Sequence, residues 1–197
     1  DIDGTLVDSV GAYLEVARVA ASPHGLTVTE ADIRHSLAIG GNFWNSVVPQ
    51  EHPDRDKLLR TMSDHAMQAW PQVLREHGRV FPGLAQTLDA LAAKGLRLAI
   101  VSGARPEVLD LLREDGVLDR FDSIVLGADV SRRKPDPEGI LKCLKALDVK
   151  PGAAVYIGDT PVDVLASRAA GTHVIGVLTG AGDSASLSQH GADRLAS

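Results

Sequence analysis

The sequence has little of several features, and each shortage excludes a class of protein. A single cysteine, Cys143, cannot form an intramolecular disulfide, and its apolar helical neighbours predict a reduced thiol in the core. The apolar runs 98–101 and 174–177 are far too short to span a bilayer. The chain has a net charge of -6 and no basic stretch, so we do not expect nucleic acid to be its main partner. The histidines show no zinc-ligand spacing.

No secretory signal pattern is visible either, and this favours the cytoplasm. The chain does not begin with Met, so a segment upstream of residue 1 could still hold a targeting signal. We also expect the strand that would precede residue 1 to be missing, and 191–194 looks cut before a final helix.

The composition is otherwise that of a globular protein, with 44% hydrophobic and 23% charged residues. From residue 83 onward, apolar runs alternate with helical stripes, which predicts an α/β fold with a Rossmann-like parallel sheet flanked by helices. The predicted strands are 96–101, 123–126, 153–157 and 173–177. The predicted helices are 84–95, 106–116, 137–147 and 161–171.

Residues 9–82 have a different pattern, with helical apolar faces and no convincing strand. We therefore predict an all-helical cap domain at 9–82, inserted into a catalytic core made of 1–8 and 83–197. Thr29 and Asp32 are typical of a helix N-terminal cap, and Pro71 is expected to kink or divide the third helix.

Six polar residues fall where strands end or helices begin, although they are spread over much of the chain. In an open α/β sheet, ligands bind in the crevice beyond the carboxyl ends of the strands, so these residues are expected to converge. They are Asp1, Asp3, Ser102, Lys134, Asp159 and Asp163.

Carboxylates that lie close together need a compensating cation or proton, and an all-oxygen set suits Mg²⁺ held by Asp1 and Asp159. Lys134 and the Ser102 hydroxyl would bind the oxygens of a phosphoryl group. Asp1 would then attack phosphorus to form an aspartyl-phosphate, with Asp3 as general acid and base.

The segments that carry these residues resemble, in order, the four motifs of the haloacid dehalogenase-like hydrolase superfamily. The segments are 1–9 (DIDGTLVDS), 101–103 (VSG), 133–137 (RKPDP) and 158–163 (GDTPVD). The cap position and the third segment are most similar to the phosphoglycolate phosphatase-like group. One departure is Gly103, where phosphoglycolate phosphatases commonly have Asn.

The resemblance implies a Rossmann-like core, a helical cap of the C1 type, Mg²⁺ dependence and the aspartyl-phosphate mechanism. It assigns Asp1 as nucleophile, Asp3 as acid and base, and Asp159 as metal carboxylate. It also implies that the Asp3 backbone carbonyl binds the metal and that Asp163 supports it through water. The phosphate-binding positions that it implies are Thr5, Ser102, Gly103 and Lys134.

The expected activity is Mg²⁺-dependent hydrolysis of a small phosphorylated metabolite, such as phosphoglycolate or a sugar phosphate. One alternative is a phosphomutase of the β-phosphoglucomutase type, and another is an inactive, truncated binding module. The oligomeric state is left open between monomer and homodimer.

Some residues have two interpretations. Asp163 could be a first-turn helix acid that interacts with the helix dipole rather than a metal-site residue. The segment with Gly40, Gly41, Phe43 and Trp44 could be a loop that closes over the substrate or a turn that packs the cap. Arg34, His35 and Arg105 could bind a second anionic group or simply lie at the surface.

Overall fold

The computed structural model describes residues 1–40 and 43–197 and has an α/β fold with parallel sheets flanked by helices. The strands are β1 (Val7–Asp8), β2 (Arg79–Val80), β3 (Ala99–Ser102), β4 (Ser123–Leu126), β5 (Val155–Gly158), β6 (His173–Val177) and β7 (Arg194–Ala196). The helices are α1 (Val10–Ala21), α2 (Glu30–Ile39), α3 (Trp44–Val47), α4 (Arg55–His77), α5 (Leu84–Ala92), α6 (Val108–Glu114), α7 (Glu138–Leu147), α8 (Pro161–Ala170) and α9 (Ser184–Gln189). Across the described residues, no helix is both long and apolar enough to cross a membrane.

The parallel strands form two groups, β3–β4 and β5–β6–β7. The first residues of the chain contact both. The backbone nitrogen of Asp1 donates a hydrogen bond to the carbonyl of Ile157 in β5, at 2.8 Å. Ile2 is fully buried in the same apolar cluster as Ile100 of β3. Asp1 and Asp3 therefore lie at the edge where β3 and β5 both end.

Helices α1 to α4 lie between β1 and β2 in the chain and have an apolar cluster largely of their own. Helix α1 packs against α4, because both carry apolar side chains at helical spacing. The Thr29 hydroxyl accepts from the Asp32 backbone N–H, and Asp32 accepts from the Thr29 N–H in return, so the predicted cap of α2 is confirmed.

One prediction about this region is wrong in part, and another is wrong. Helix α4 is not divided at Pro71, because it continues from Arg55 to His77 and buries side chains on both sides of the proline. The alternative, a kink at Pro71, stays a prediction. The region before residue 83 is also not free of strands. Arg79–Val80 pairs antiparallel with Val7–Asp8, a ladder too short to give an alternating pattern.

The predicted strands 123–126 and 173–177 are confirmed at those bounds, and the other two are found slightly later than predicted. The chain adds α9 and β7 where the sequence analysis expected none. Helix α9 buries only Leu187, and all of β7 is exposed, so neither element has the apolar run that would predict it.

Candidate active site

A sharp turn after Asp3 places the two N-terminal aspartates at the sheet edge. Gly4 has φ 71°, a conformation that side chains other than glycine rarely adopt, and its N–H donates to the carbonyl of Val7 at 2.8 Å. A Cβ on Gly4 would lie 2.5 Å from Oδ2 of Asp159, so the turn also brings the first segment against the residue that follows β5. The turn requires glycine for both reasons.

Lys134 connects two buried carboxylates. Its Nζ lies 3.0 Å from Oδ1 of Asp1 and 2.5 Å from Oδ1 of Asp163, and the three side chains are 13%, 8% and 0% exposed. Burial opposes the charge on Lys134, but Asp163 and the hydroxyl of Tyr156 nevertheless raise its pKa above the ordinary value. Burial likewise opposes ionisation of Asp163, yet Lys134 holds the pKa of that carboxyl below its usual range. Both groups are therefore charged at neutral pH.

Asp163 also caps helix α8. Its Oδ2 accepts from the backbone N–H of Thr160 at 3.0 Å, and its Oδ1 accepts from the Tyr156 hydroxyl at 3.1 Å. The interpretation as a first-turn acid therefore agrees with the capping geometry, and the ion pair with Lys134 places the same carboxylate in the acidic cluster.

Asp159 is buried, and only one of its two carboxylate oxygens has a hydrogen-bond partner among the described residues. Its Oδ2 accepts from the backbone N–H of Ala181 at 2.8 Å, whereas its Oδ1 is buried and has no partner among the described residues. Burial, together with the neighbouring Asp163, raises the pKa of Asp159 to about 7. A group of this kind is stabilised when a cation binds beside it.

The donor set fits a hard divalent cation. Asp1, Asp159 and Asp163 each have a carboxylate oxygen that lies within 4.8 Å of the other two. Carboxylate oxygens are the ligands that Mg²⁺ prefers, and the unpartnered oxygen of Asp159 supplies one of them. The Asp3 carboxylate is not part of this cluster.

Asp3 faces helix α1 instead. The hydroxyl of Tyr13 donates to Oδ2 of Asp3 at 3.0 Å. Burial raises the pKa of Asp3, although the nearby Ser9 hydroxyl and the hydrogen bond from Tyr13 partly oppose the shift. A carboxyl group whose proton is retained more readily suits proton transfer.

The predicted phosphate-binding residues are not all in one place. Ser102, Gly103 and Lys134 line one cavity with Asp1, Asp3 and Asp159. Thr5 is not a lining residue, although its hydroxyl oxygen is buried without a partner among the described residues. The Ser102 hydroxyl oxygen accepts from the backbone N–H of Ala104 at 3.2 Å, which leaves its own hydrogen available to a ligand.

The cavity has a volume of about 450 Å³ and lies between the strand ends and the helices α1, α2 and α4. Gly40, Phe43 and Trp44 line it, and Trp44 also belongs to the apolar cluster of those helices. The two interpretations of this segment are therefore compatible for these residues. Gly41 lies outside the described residues.

Arg105 also lines the cavity, whereas Arg34 and His35 do not. Arg34 donates instead to the carbonyl of Gly180 at 2.5 Å. Of the three residues considered for binding a second anionic group, Arg105 is therefore the one that lies at the cavity.

Sequence reasoning missed Tyr13, Tyr156 and Gly180. Tyr13 is one of several large residues of α1 that face the core, and Tyr156 occupies a buried position of β5, so neither stood out from core residues. A Cβ on Gly180 would overlap the Asp159 carboxylate, a constraint that exists only after folding. The clustering of glycines at 176–182 was the one available signal.

Comparison with known proteins agrees with this geometry. The haloacid dehalogenase-like hydrolase family matches residues 1–177. A phosphoglycolate phosphatase from Nitrosospira multiformis is 31% identical over 188 residues, which are 91% of this chain and 82% of the relative. A phosphorylated carbohydrates phosphatase from Thermotoga maritima is 28% identical over 200 residues, covering 99% of this chain and 91% of the relative.

A crystal structure of a haloacid dehalogenase-like hydrolase from Bacteroides fragilis superposes with a TM-score of 0.82 at 28% identity. The alignment covers 99% of this chain and 93% of that one. The resemblance read from the four sequence motifs is thus confirmed over nearly the whole chain, and the protein belongs to the haloacid dehalogenase-like hydrolase family.

Proposed function

We propose that the protein is a Mg²⁺-dependent phosphatase that hydrolyses small phosphate monoesters through an aspartyl-phosphate on Asp1. The observation that carries the proposal is the contact between Lys134 and the buried Asp1 carboxylate, in a cavity that Asp3 and Asp159 also line. The relatives named as phosphatases of phosphoglycolate and of phosphorylated carbohydrates support the same reaction class.

In the first step, a carboxylate oxygen of Asp1 attacks phosphorus, and the bond between phosphorus and the alcohol oxygen breaks. Asp3 donates its proton to the departing oxygen, so the alcohol leaves neutral. Proton transfer of this kind typically contributes about 10² to 10⁴ in rate. The raised pKa of Asp3 supports its role as the proton donor.

In the second step, Asp3 takes a proton from a water molecule, whose oxygen attacks the phosphorus of the aspartyl-phosphate. The bond to Asp1 breaks, so the carboxylate of Asp1 is regenerated and inorganic phosphate is released. Lys134 and the Ser102 hydroxyl bind phosphoryl oxygens throughout both steps. The helices over the cavity exclude other water molecules.

Asp1 and Asp159 would hold Mg²⁺, with Asp163 beside them, and the family resemblance adds the backbone carbonyl of Asp3. When bound there, the ion would neutralise charge that develops on the phosphoryl oxygens. The unpartnered oxygen of Asp159 supports this assignment.

Asp1→Asn tests the mechanism. We expect this variant to lose Mg²⁺-dependent phosphate release from an aryl phosphate down to the uncatalysed background, because an amide does not attack phosphorus. Asp119→Asn, at an exposed position, is the matched control and should keep wild-type turnover. Retained turnover in Asp1→Asn would contradict the proposal.

A second assay separates hydrolysis from group transfer. With a hexose 1-phosphate as substrate, a phosphatase releases inorganic phosphate, whereas a phosphomutase produces the hexose 6-phosphate. A folded wild-type protein that gives neither product with any phosphate ester would favour an inactive binding module.

A further inference from the structure

The cavity has two chemically different sides. One side comes from residues 1–8 and 83–197 and carries the carboxylates, Ser102 and every cation that lines the cavity among the described residues. These cations are Arg105, Arg132, Arg133 and Lys134. The cationic side chains that can bind an anionic group therefore all lie on the side of the cavity where the phosphoryl group is proposed to bind.

The opposite side comes from α1, α2, α4 and the residues Gly40, Phe43 and Trp44, and no charged side chain lines it among the described residues. Its largest members are Tyr13, Phe43, Trp44, Met67 and Trp70, and aliphatic residues of α1 and α2 fill the space between them. The Tyr13 and Trp70 rings lie 4.6 Å apart between centroids, and the Phe43 and Trp44 rings lie 4.8 Å apart, so the aromatic members form two packed pairs.

Few polar side chains interrupt this surface. They are the Tyr13 hydroxyl, which is already bonded to Asp3, the indole N–H groups of Trp44 and Trp70, and the hydroxyls of Ser9, Ser36 and Ser63. A polyhydroxylated leaving group placed here would lose hydrogen bonds to water that so few partners could replace. An apolar leaving group would lose nothing and would gain from burial.

The size of the cavity points the same way. A volume of about 450 Å³ lies within the range of about 300 to 1,000 Å³ that holds drug-sized ligands. A phosphoryl group with a two-carbon leaving group would leave the space beside Met67 and Trp70 unfilled by substrate.

We propose that the preferred substrates are phosphate monoesters whose leaving group has an apolar body, aliphatic or aromatic, that packs against the side of the cavity formed by α1, α2 and α4. This specificity rests on the proposed phosphatase function. It makes Met67 and its neighbours specificity-determining residues, with no part in the chemistry at phosphorus.

The test compares three esters of primary alcohols, so that intrinsic reactivity differs little: 2-phenylethyl phosphate, glucose 6-phosphate and phosphoglycolate. We expect kcat/KM for 2-phenylethyl phosphate to exceed both others by at least tenfold, because one buried methylene can contribute about 10- to 200-fold in an apolar pocket. Equal values, or a preference for either polar ester, would overturn the proposal.

A variant locates the effect. Met67 lines the cavity yet is 50% exposed, so Met67→Gln keeps the side-chain length at little risk to folding. We expect it to lower kcat/KM for 2-phenylethyl phosphate at least fivefold and to lower kcat/KM for methyl phosphate far less, because the methyl group is too small to pack against this side of the cavity. Val19→Gln, at an exposed apolar position of α1 that does not line the cavity, is the control.

The outcomes separate this inference from the function beneath it. Hydrolysis of methyl phosphate without any preference for the phenylethyl ester overturns the inference and leaves the phosphatase proposal standing. Failure to hydrolyse any ester in the presence of Mg²⁺ overturns both. A preference that Met67→Gln does not reduce overturns the assignment to this side of the cavity.

Discussion

Lys134 is the residue on which the site's electrostatics depend. Its ammonium group lies between the carboxylates of Asp1 and Asp163, all three of them buried. Removing one partner of a buried ion pair leaves an uncompensated charge, which costs more than the pair contributes when it is intact. Here a single removal would leave two carboxylates without their cation.

We therefore expect Lys134→Met to lower the free energy of unfolding by about 3 kcal/mol or more in metal-free buffer, and also to abolish phosphate release. Urea unfolding in the presence of a chelator measures the first effect. Lys57→Met, on the exposed surface of α4, should change stability by less than about 1 kcal/mol. Equal stability of the two variants would show that Lys134 does not stabilise the buried carboxylates.

At the scale of elements, helix α7 fixes the loop that carries Lys134. Oε1 and Oε2 of Glu138 accept from the backbone N–H groups of Ser131 and Arg132, each at 3.0 Å. Lys142, one turn further along α7, lies 2.9 Å from Oε1. The lysine and the two N–H groups lower the pKa of Glu138 to about 2.

This pKa gives a prediction with a defined sign. Because the folded value of about 2 lies below the unfolded value of 4.5, the stabilisation is fully present above pH 4.5 and is lost as the pH falls towards 2. Glu138→Gln should therefore lower Tm clearly at pH 7 and much less at pH 3. Glu114→Gln, exposed on α6, is the control. A difference in Tm that does not change between the two pH values would argue against the role of the charge.

The elements also differ in how well the sequence predicts them. Strands β4 and β6 were predicted because their short apolar runs lie between clear turn residues. Helix α9 and strand β7 were missed, because one buries a single leucine and the other buries nothing. A local pattern predicts an element only when that element contributes a face to the core.

The same reasoning applies to the site. The aspartate, serine and lysine residues where strands end or helices begin could be assigned from sequence, because the topology of a parallel sheet brings these positions to one edge. Tyr13 and Gly180 could not, because their contacts with Asp3 and Asp159 depend on how a helix and a loop pack from outside the sheet.

At the scale of the whole molecule, stability should be linked to the cation. A ligand that binds only the native state stabilises it by about 2.7 kcal/mol at a concentration 100 times its Kd. Like charges that repel one another in the metal-free protein are the physical origin of this linkage, since Asp159 and Asp163 lie in one buried cluster.

We expect Mg²⁺ to raise the Tm of the wild-type protein by several degrees and that of Asp159→Asn by much less. In metal-free buffer we expect the wild type to be the less stable of the two proteins. The folded pKa of about 7 lies above the ordinary value of 3.8, so the wild-type carboxyl destabilises the fold increasingly as pH rises towards 7, and Asp159→Asn should be the more stable protein at pH 8. Asp115→Asn, an exposed change, should follow the wild type in both buffers. The same Mg²⁺ response in Asp159→Asn as in the wild type would place the ion elsewhere.

The ladder between Val7–Asp8 and Arg79–Val80 has a consequence for how such a protein can evolve. The chain leaves the sheet edge at Asp8 and returns at Arg79, and these two residues are paired neighbours. A short turn could join them, so the intervening segment can be lengthened, shortened or exchanged without moving either end. Selection can therefore alter the helices that line one side of the cavity while Asp1 and Asp3, the proposed catalytic residues, stay in place.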